Sequence, residues 1–144
     1  MNTRLFALLV GLAFIVAGVL GFIPGAVHPP HPGAPDLRVD SGYGYLLGLF
    51  PVNVLHNLVH VVVGIAGVVA YRSLPMAIRF ARGLAIFYGV LAIMGLIPGL
   101  ATTFGLIPIF GHDVWLHAGT AALAAYFGWV QHSTAGRVPT PHHA

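Results

Sequence analysis

Apolar residues gather into four runs along the chain, and polar residues fall almost entirely between them. The runs cover Leu5 to Ile23, Val52 to Tyr71, Gly83 to Leu100 and about His112 to Val130. Each approaches the roughly 20 residues that an α-helix needs to cross bilayer hydrocarbon. The first run carries no charge and closes at Pro24-Gly25; the second starts at Pro51 and stops at Arg72. The third has Pro98-Gly99 near its end. The first run is too long for the apolar part of a cleaved signal peptide, and no small-x-small site precedes a mature domain. It is read as a retained helix. The pattern predicts an all-α integral membrane protein, a four-helix transmembrane bundle in a single domain over residues 1–131, followed by a mobile cytoplasmic tail at 132–144.

Composition agrees with that reading. Of 144 residues, 58% are hydrophobic and 6% charged, with a mean hydropathy of +0.89, where a soluble domain would be about a quarter charged. The absence of cysteine excludes disulfides, thiolate ligands and thiol catalysis. The net charge of +3 comes from scattered Arg, with no basic patch to follow phosphates, so nucleic acid is excluded as a partner. The partner expected is the lipid bilayer, with a larger membrane complex or a second copy of the chain as further candidates.

Charge then orients the bundle. With the N-terminus in the cytoplasm, that side holds Arg4, Arg72, Arg79, Arg82 and Arg137, and the other side holds only Arg38, beside Asp36 and Asp40. This is the positive-inside asymmetry, and it puts both termini in the cytoplasm. Tyr43, Tyr45 and Trp115 fall where an outer aromatic belt belongs, and Tyr71, Phe80 and Trp129 where an inner one does. Ala13, Ala17 and Gly21, and again Ala121 and Ala125, recur at four-residue spacing, which lets helix backbones approach closely in lipid. The Pro-rich outer loop from Gly25 to Gly44, with His28 and His31, is expected to lie over the outer mouth partly as polyproline II.

The two hairpins read as copies of each other. The first and third runs end in GFIPG (Gly21 to Gly25) and GLIPG (Gly95 to Gly99). GLFPVNVLHNLVH (Gly48 to His60) lies over GLIPIFGHDVWLH (Gly105 to His117) without a gap, with Asp113 at the position of His56. Both hairpins start inside, so the repeat is parallel, about an axis along the membrane normal.

That register makes one constellation of the polar residues. His56 and His60 are four apart on one face of the second helix, and Asp113 and His117 are four apart on one face of the fourth. His60 lies about 12 Å along its helix from the outer end. The repeat places His60 near His117 and His56 near Asp113, with Asn53, Asn57 and His112 close by; His112 points away from His117. Three imidazoles and one carboxylate suit Zn²⁺ or another divalent transition metal. Asp113 either donates oxygen to it or orients a ligating His. Other uses compete. The pairs can simply hydrogen-bond across helices, at about 0.6–2 kcal/mol each, and Asp113 can cap the fourth helix. His60 and His117 can be axial ligands of haem, or His and Asp can handle protons. His28 and His31 read as plain loop residues, and His142 and His143 in the tail as inert.

The motifs N-x-x-H-N-x-x-H (Asn53 to His60), preceded by Pro51, and G-H-D-x-x-L-H (Gly111 to His117) resemble those of a bacterial family of small four-helix membrane proteins of unknown function. The likeness runs from about Tyr43 to Val130. It implies the four-helix fold and a multi-pass place in the bacterial inner (cytoplasmic) membrane, and no activity. A small residue is commoner before the Asp in that family, which weakens any role for His112 and leaves His56, His60, Asp113 and His117 as the matching positions. Chemistry points the same way on catalysis. A membrane metallohydrolase needs a base, yet no Glu occurs, and an Asp113 bound to metal leaves none. The functional expectation is therefore a metal-binding membrane protein rather than an enzyme, and the rival is a non-catalytic accessory or scaffold subunit.

Overall fold

A computed structural model describes residues 2–131, and the expected tail with its His142 and His143 lies outside them. The chain is mostly helical, with four helices: α1 (Thr3–Leu20), α2 (Val54–Ala70), α3 (Leu74–Gly95) and α4 (His112–Ala125). Side-chain caps start three of them. Asn2 accepts from Leu5 N, Asn53 from His56 N and Ser73 from Met76 N, each satisfying an orphan amide of the first turn. A π-helical turn over Tyr126–Val130 extends α4. By length and apolarity α1 and α3 could cross a membrane, while α2 is a shorter apolar helix.

The third helix differs most from its expected bounds. It starts at Leu74 rather than Gly83, because Ser73 caps it and Pro75 sits in its first turn, where a missing N–H costs nothing. Arg79 and Arg82 are therefore helical. It ends at Gly95 rather than Leu100, since the Pro98 ring cannot follow a helical carbonyl four residues back. The first helix stops at Leu20 rather than Ile23, ahead of Pro24.

The loop from Gly25 to Gly44 enters and leaves through strands of a small sheet, with irregular turns between them. Strands β1 (Val27–His28), β2 (Gly44–Leu46) and β3 (Phe50–Val52) pair antiparallel in that order. Between β2 and β3 the chain turns through Leu47 and Gly48, both at positive φ (53° and 74°). The loop before α4 turns through Phe104 and Gly105, also both positive (60° and 87°). The two loops are tied together: Arg38 N donates to Gly105 O at 2.8 Å, and Asn53 Nδ2 donates to Val39 O at 2.8 Å and to Leu106 O at 2.7 Å.

Helices α1 and α2 meet through glycine. A Cβ on Gly11 would strike the backbone at Gly64 to Val68, and one on Gly18 would strike Asn57 O and Val61. Ala13, expected in that stripe, is exposed; the packed face of α1 runs through Ala7, Gly11, Phe14, Gly18 and Gly21. A core of Phe6, Phe14, Leu84, Tyr88, Ala124 and Phe127 joins α1, α3 and the end of α4. At the end opposite the sheet, Arg4 Nε donates to Tyr71 O and Arg82 Nε to Gly128 O, both at 2.8 Å, and each guanidinium also stacks on an aromatic ring, Tyr71 and Trp129. The outward faces are apolar: Val16, Val62, Ile65, Ile86, Ile93 and Leu123 are each more than half exposed.

Candidate metal centre

The first turn of α2 sets the site. Asn53 is wholly buried and all its amide hydrogen-bonding directions are used: Oδ1 caps α2, and Nδ2 holds both outer loops. This fixes the azimuth of α2, and His56, three residues on, is turned into the interior. His56 Nδ1 lies 3.1 Å from Pro51 O. A carbonyl only accepts, so with the proton on Nδ1 the Nε2 atom presents its lone pair. That lone pair faces Asp113 Oδ2 at 3.6 Å.

Asp113 arrives from α4, whose N-cap is Gly111 with no side-chain bond. The carboxylate is thus not the cap that the sequence allowed. Its Oδ2 lies 3.9 Å from His117 Nε2, one turn along, and has no hydrogen-bond partner among the described residues. Both distances exceed those of a charge-assisted hydrogen bond. Ligand atoms of His56, Asp113 and His117 all lie within 4.8 Å of one another, and all three residues are buried. In a tetrahedral zinc site with bonds of about 2.0–2.1 Å, ligand atoms stand about 3.4 Å apart. The three groups therefore sit slightly wider than coordination requires, and a small closure would bring them to it.

His60 is placed against this set rather than in it. Its ring lies 4.5 Å from that of His56 and stacks on Phe14 at 5.4 Å. His56, His60 and His117 line one cavity of about 50 Å³, with Tyr88 of α3 on its wall. Nδ1 of His60 and of His117 are buried without a partner among the described residues. His112 is exposed at the start of α4, pointing away as expected. His31, in the loop after β1, packs against Tyr45 of β2 at 4.3 Å, and His28 lies in β1.

Tyr88 is the residue that reading the sequence missed. It is 1% exposed, its ring meets that of His117 edge-on at 5.0 Å, and it stacks on Phe14 at 5.2 Å. Its only signal in the sequence is a lone hydroxyl within the apolar third run.

Comparison with known proteins matches residues 4–130 to one family, described as Domain of unknown function (DUF4383). No curated protein and no solved structure matches.

Proposed function

Since the chain belongs to this DUF4383 family of unknown function, which carries no activity over to it, we propose from the site itself that it is an integral membrane protein binding a divalent transition metal, Zn²⁺ in the first place. His56, Asp113 and His117 are the ligands and His60 the fourth candidate. One observation carries this reading: His56 Nε2 and Asp113 Oδ2 face each other 3.6 Å apart inside the protein, wider than a hydrogen bond, and Asp113 Oδ2 has no hydrogen-bond partner among the described residues. A cation between them satisfies both. Imidazole and carboxylate together match a borderline-soft ion. The cavity of about 50 Å³ beside His56, His60 and His117 has room for an ion with a bound water and none for a porphyrin, which weighs against haem.

All four helices span the bilayer in this reading, as two copies of one hairpin, with both termini in the cytoplasm of a bacterium. The apolar outward faces support spanning, since exposed apolar surface on this scale needs an apolar solvent. Matching treatment of matching positions supports the copies. Leu47-Gly48 and Phe104-Gly105 share positive φ, and Gly21 packs on Asn57 as Gly95 packs on Val114. Because the chain lacks cysteine, single Ser73→Cys and Ser41→Cys variants test the topology. An impermeant maleimide added to intact cells should label the second and spare the first; the reverse labelling would invert the protein.

The metal test is elemental analysis of untagged protein purified in detergent without chelator. Near-stoichiometric metal, lost in His117→Ala while the protein still folds, is the expected result. A metal-free protein whose His117→Ala variant only melts earlier would leave the accessory-subunit reading, in which the polar groups merely lock the hairpins.

A further inference from the structure

A second cavity lies beside α2, between the end of α1 and the sheet. It measures about 500 Å³ and is lined mainly by apolar groups such as Phe22, Ile23 and Val27, with the exposed Pro29 and Pro30 at its rim. That size and lining are those of a small-molecule site. Asn57, only 1% exposed, lines it. Asn57 Nδ2 is spent on Gly21 O at 2.8 Å, which leaves Oδ1 buried without a partner among the described residues. Tyr43, also on the wall, has its hydroxyl buried near Tyr45, with no well-aligned hydrogen-bond partner among the described residues. No carboxylate or guanidinium lines the cavity.

We propose that this cavity is a binding site for a neutral, hydroxyl-bearing molecule with an apolar body. The chemistry follows from the two orphan atoms. Asn57 Oδ1 can only accept, so the ligand must bring a donor. Tyr43 can donate or accept. Burial, the neighbouring Tyr45 and the Asp36 carboxylate push it up to about 12, so it stays a neutral phenol. A hydroxyl answers both atoms, and the apolar wall takes the rest. An anionic ligand finds no guanidinium here and a cationic one no carboxylate, while His28 adds an imidazole to the wall. Asn57 follows His56 in sequence, about 100° further round the helix, and bonds to Gly21, so the site shares no lining residue with the metal centre and stands or falls independently of it.

The test is equilibrium binding of 1-naphthol and of 1-methoxynaphthalene to the full chain in lipid nanodiscs, with empty discs as the reference for partitioning. The two probes share an apolar body, and only the first has a donor. Naphthol should bind about tenfold more tightly, as one buried hydrogen bond allows. Asn57→Leu should bring the two affinities together. Pro30→Trp, a change at an exposed rim position that leaves the core untouched, should abolish binding of both even if Asn57→Leu does not fold. Displacement of naphthol by geranylgeraniol in the disc would name a bilayer lipid as the source, and displacement by phenol alone a soluble compound. Equal affinity of the two probes, or uptake no greater than that of empty discs, would overturn the proposal.

Discussion

The two hairpins solve one packing problem with different residues. In the first, α1 and α2 touch backbone to backbone through Gly11, Gly18 and Gly64, and α2 carries two imidazoles inward. In the second, α3 and α4 are held apart by larger groups, with Tyr88 and Leu84 in the shared core, and α4 carries one imidazole and one carboxylate. Position for position, His60 answers His117, but His56 answers Asp113. The difference teaches where function sits. Two identical hairpins would set two imidazoles face to face, with no charge to offset a bound dication. Replacing one by Asp gives the pair an imidazole and a carboxylate, two donors whose summed charge would partly offset a dication in low dielectric.

Asp113→Asn breaks that difference most directly and should have the largest effect. It keeps shape and removes charge, so metal affinity should fall by more than the 10–100-fold typical of losing a group that merely orients a ligand. Without metal, the same change should leave the melting temperature unchanged or raise it, because an uncompensated buried carboxylate is gone. Titration with Zn²⁺ beside a thermal melt reads both. Loss of stability with no metal to lose would show Asp113 to be structural glue instead.

Asn53 has no counterpart at the matching position of the second hairpin, where Phe110 stands. Asn53→Ala removes a buried helix cap and two part-buried hydrogen bonds to the two loops. A loss of about 2–4 kcal/mol is expected from a cap near 1 kcal/mol and two orphaned carbonyls. Phe110 makes no such bonds, so Phe110→Ala should cost clearly less. Equal losses in detergent denaturation would deny Asn53 its special place.

How much of this was legible in the residues alone follows from the same contrast. The four helices and the His/Asp pairing came from apolar run length and i, i+4 spacing, which are local and periodic. The meeting of His56 with Asp113 followed from the gapless register of Gly48 to His60 on Gly105 to His117. The sheet was not legible, because strands of two or three residues in an apolar stretch such as Tyr45 to Val52 show no period. The early start of α3 was written in Ser73 and Pro75, but Arg79 and Arg82 masked it by breaking the apolar run. The choice of Gly11 and Gly18 over Ala13 for close packing, and the approach of Tyr88 to His117, depend on the rotation of each helix about its axis. Spacing within one helix does not set that rotation against a neighbour.

Gly21 and Gly95 sharpen the comparison at smaller scale. Each closes its helix against the next hairpin element, and a Cβ at either position would collide. At Gly21 the obstacle is the Asn57 side-chain amide, which can turn aside. At Gly95 it is the Ile109 carbonyl, fixed in the backbone, with Val114 beyond it. Gly95→Ala should therefore cost about 1–3 kcal/mol, in the range of overpacking, and Gly21→Ala less. A larger loss at Gly21 would mean that Asn57 is held more rigidly than its single hydrogen bond to Gly21 O implies.

The smallest effect is expected where the hairpins are most alike. Leu47 and Phe104 both hold positive φ without being glycine, at a cost of about 1–2 kcal/mol each for the strained backbone. Glycine there relieves the strain but adds about 0.5–1 kcal/mol of unfolded-state entropy, so Leu47→Gly and Phe104→Gly should each stabilise by about 0.5–1 kcal/mol at most. Both side chains are largely exposed, at 61% and 66%, so little packing is lost. The two gains should be equal and additive, since each turn closes its own loop. If Phe104→Gly instead destabilises, that ring is serving its own hairpin through the lipid it faces. The two turns would then share a backbone shape and differ in purpose.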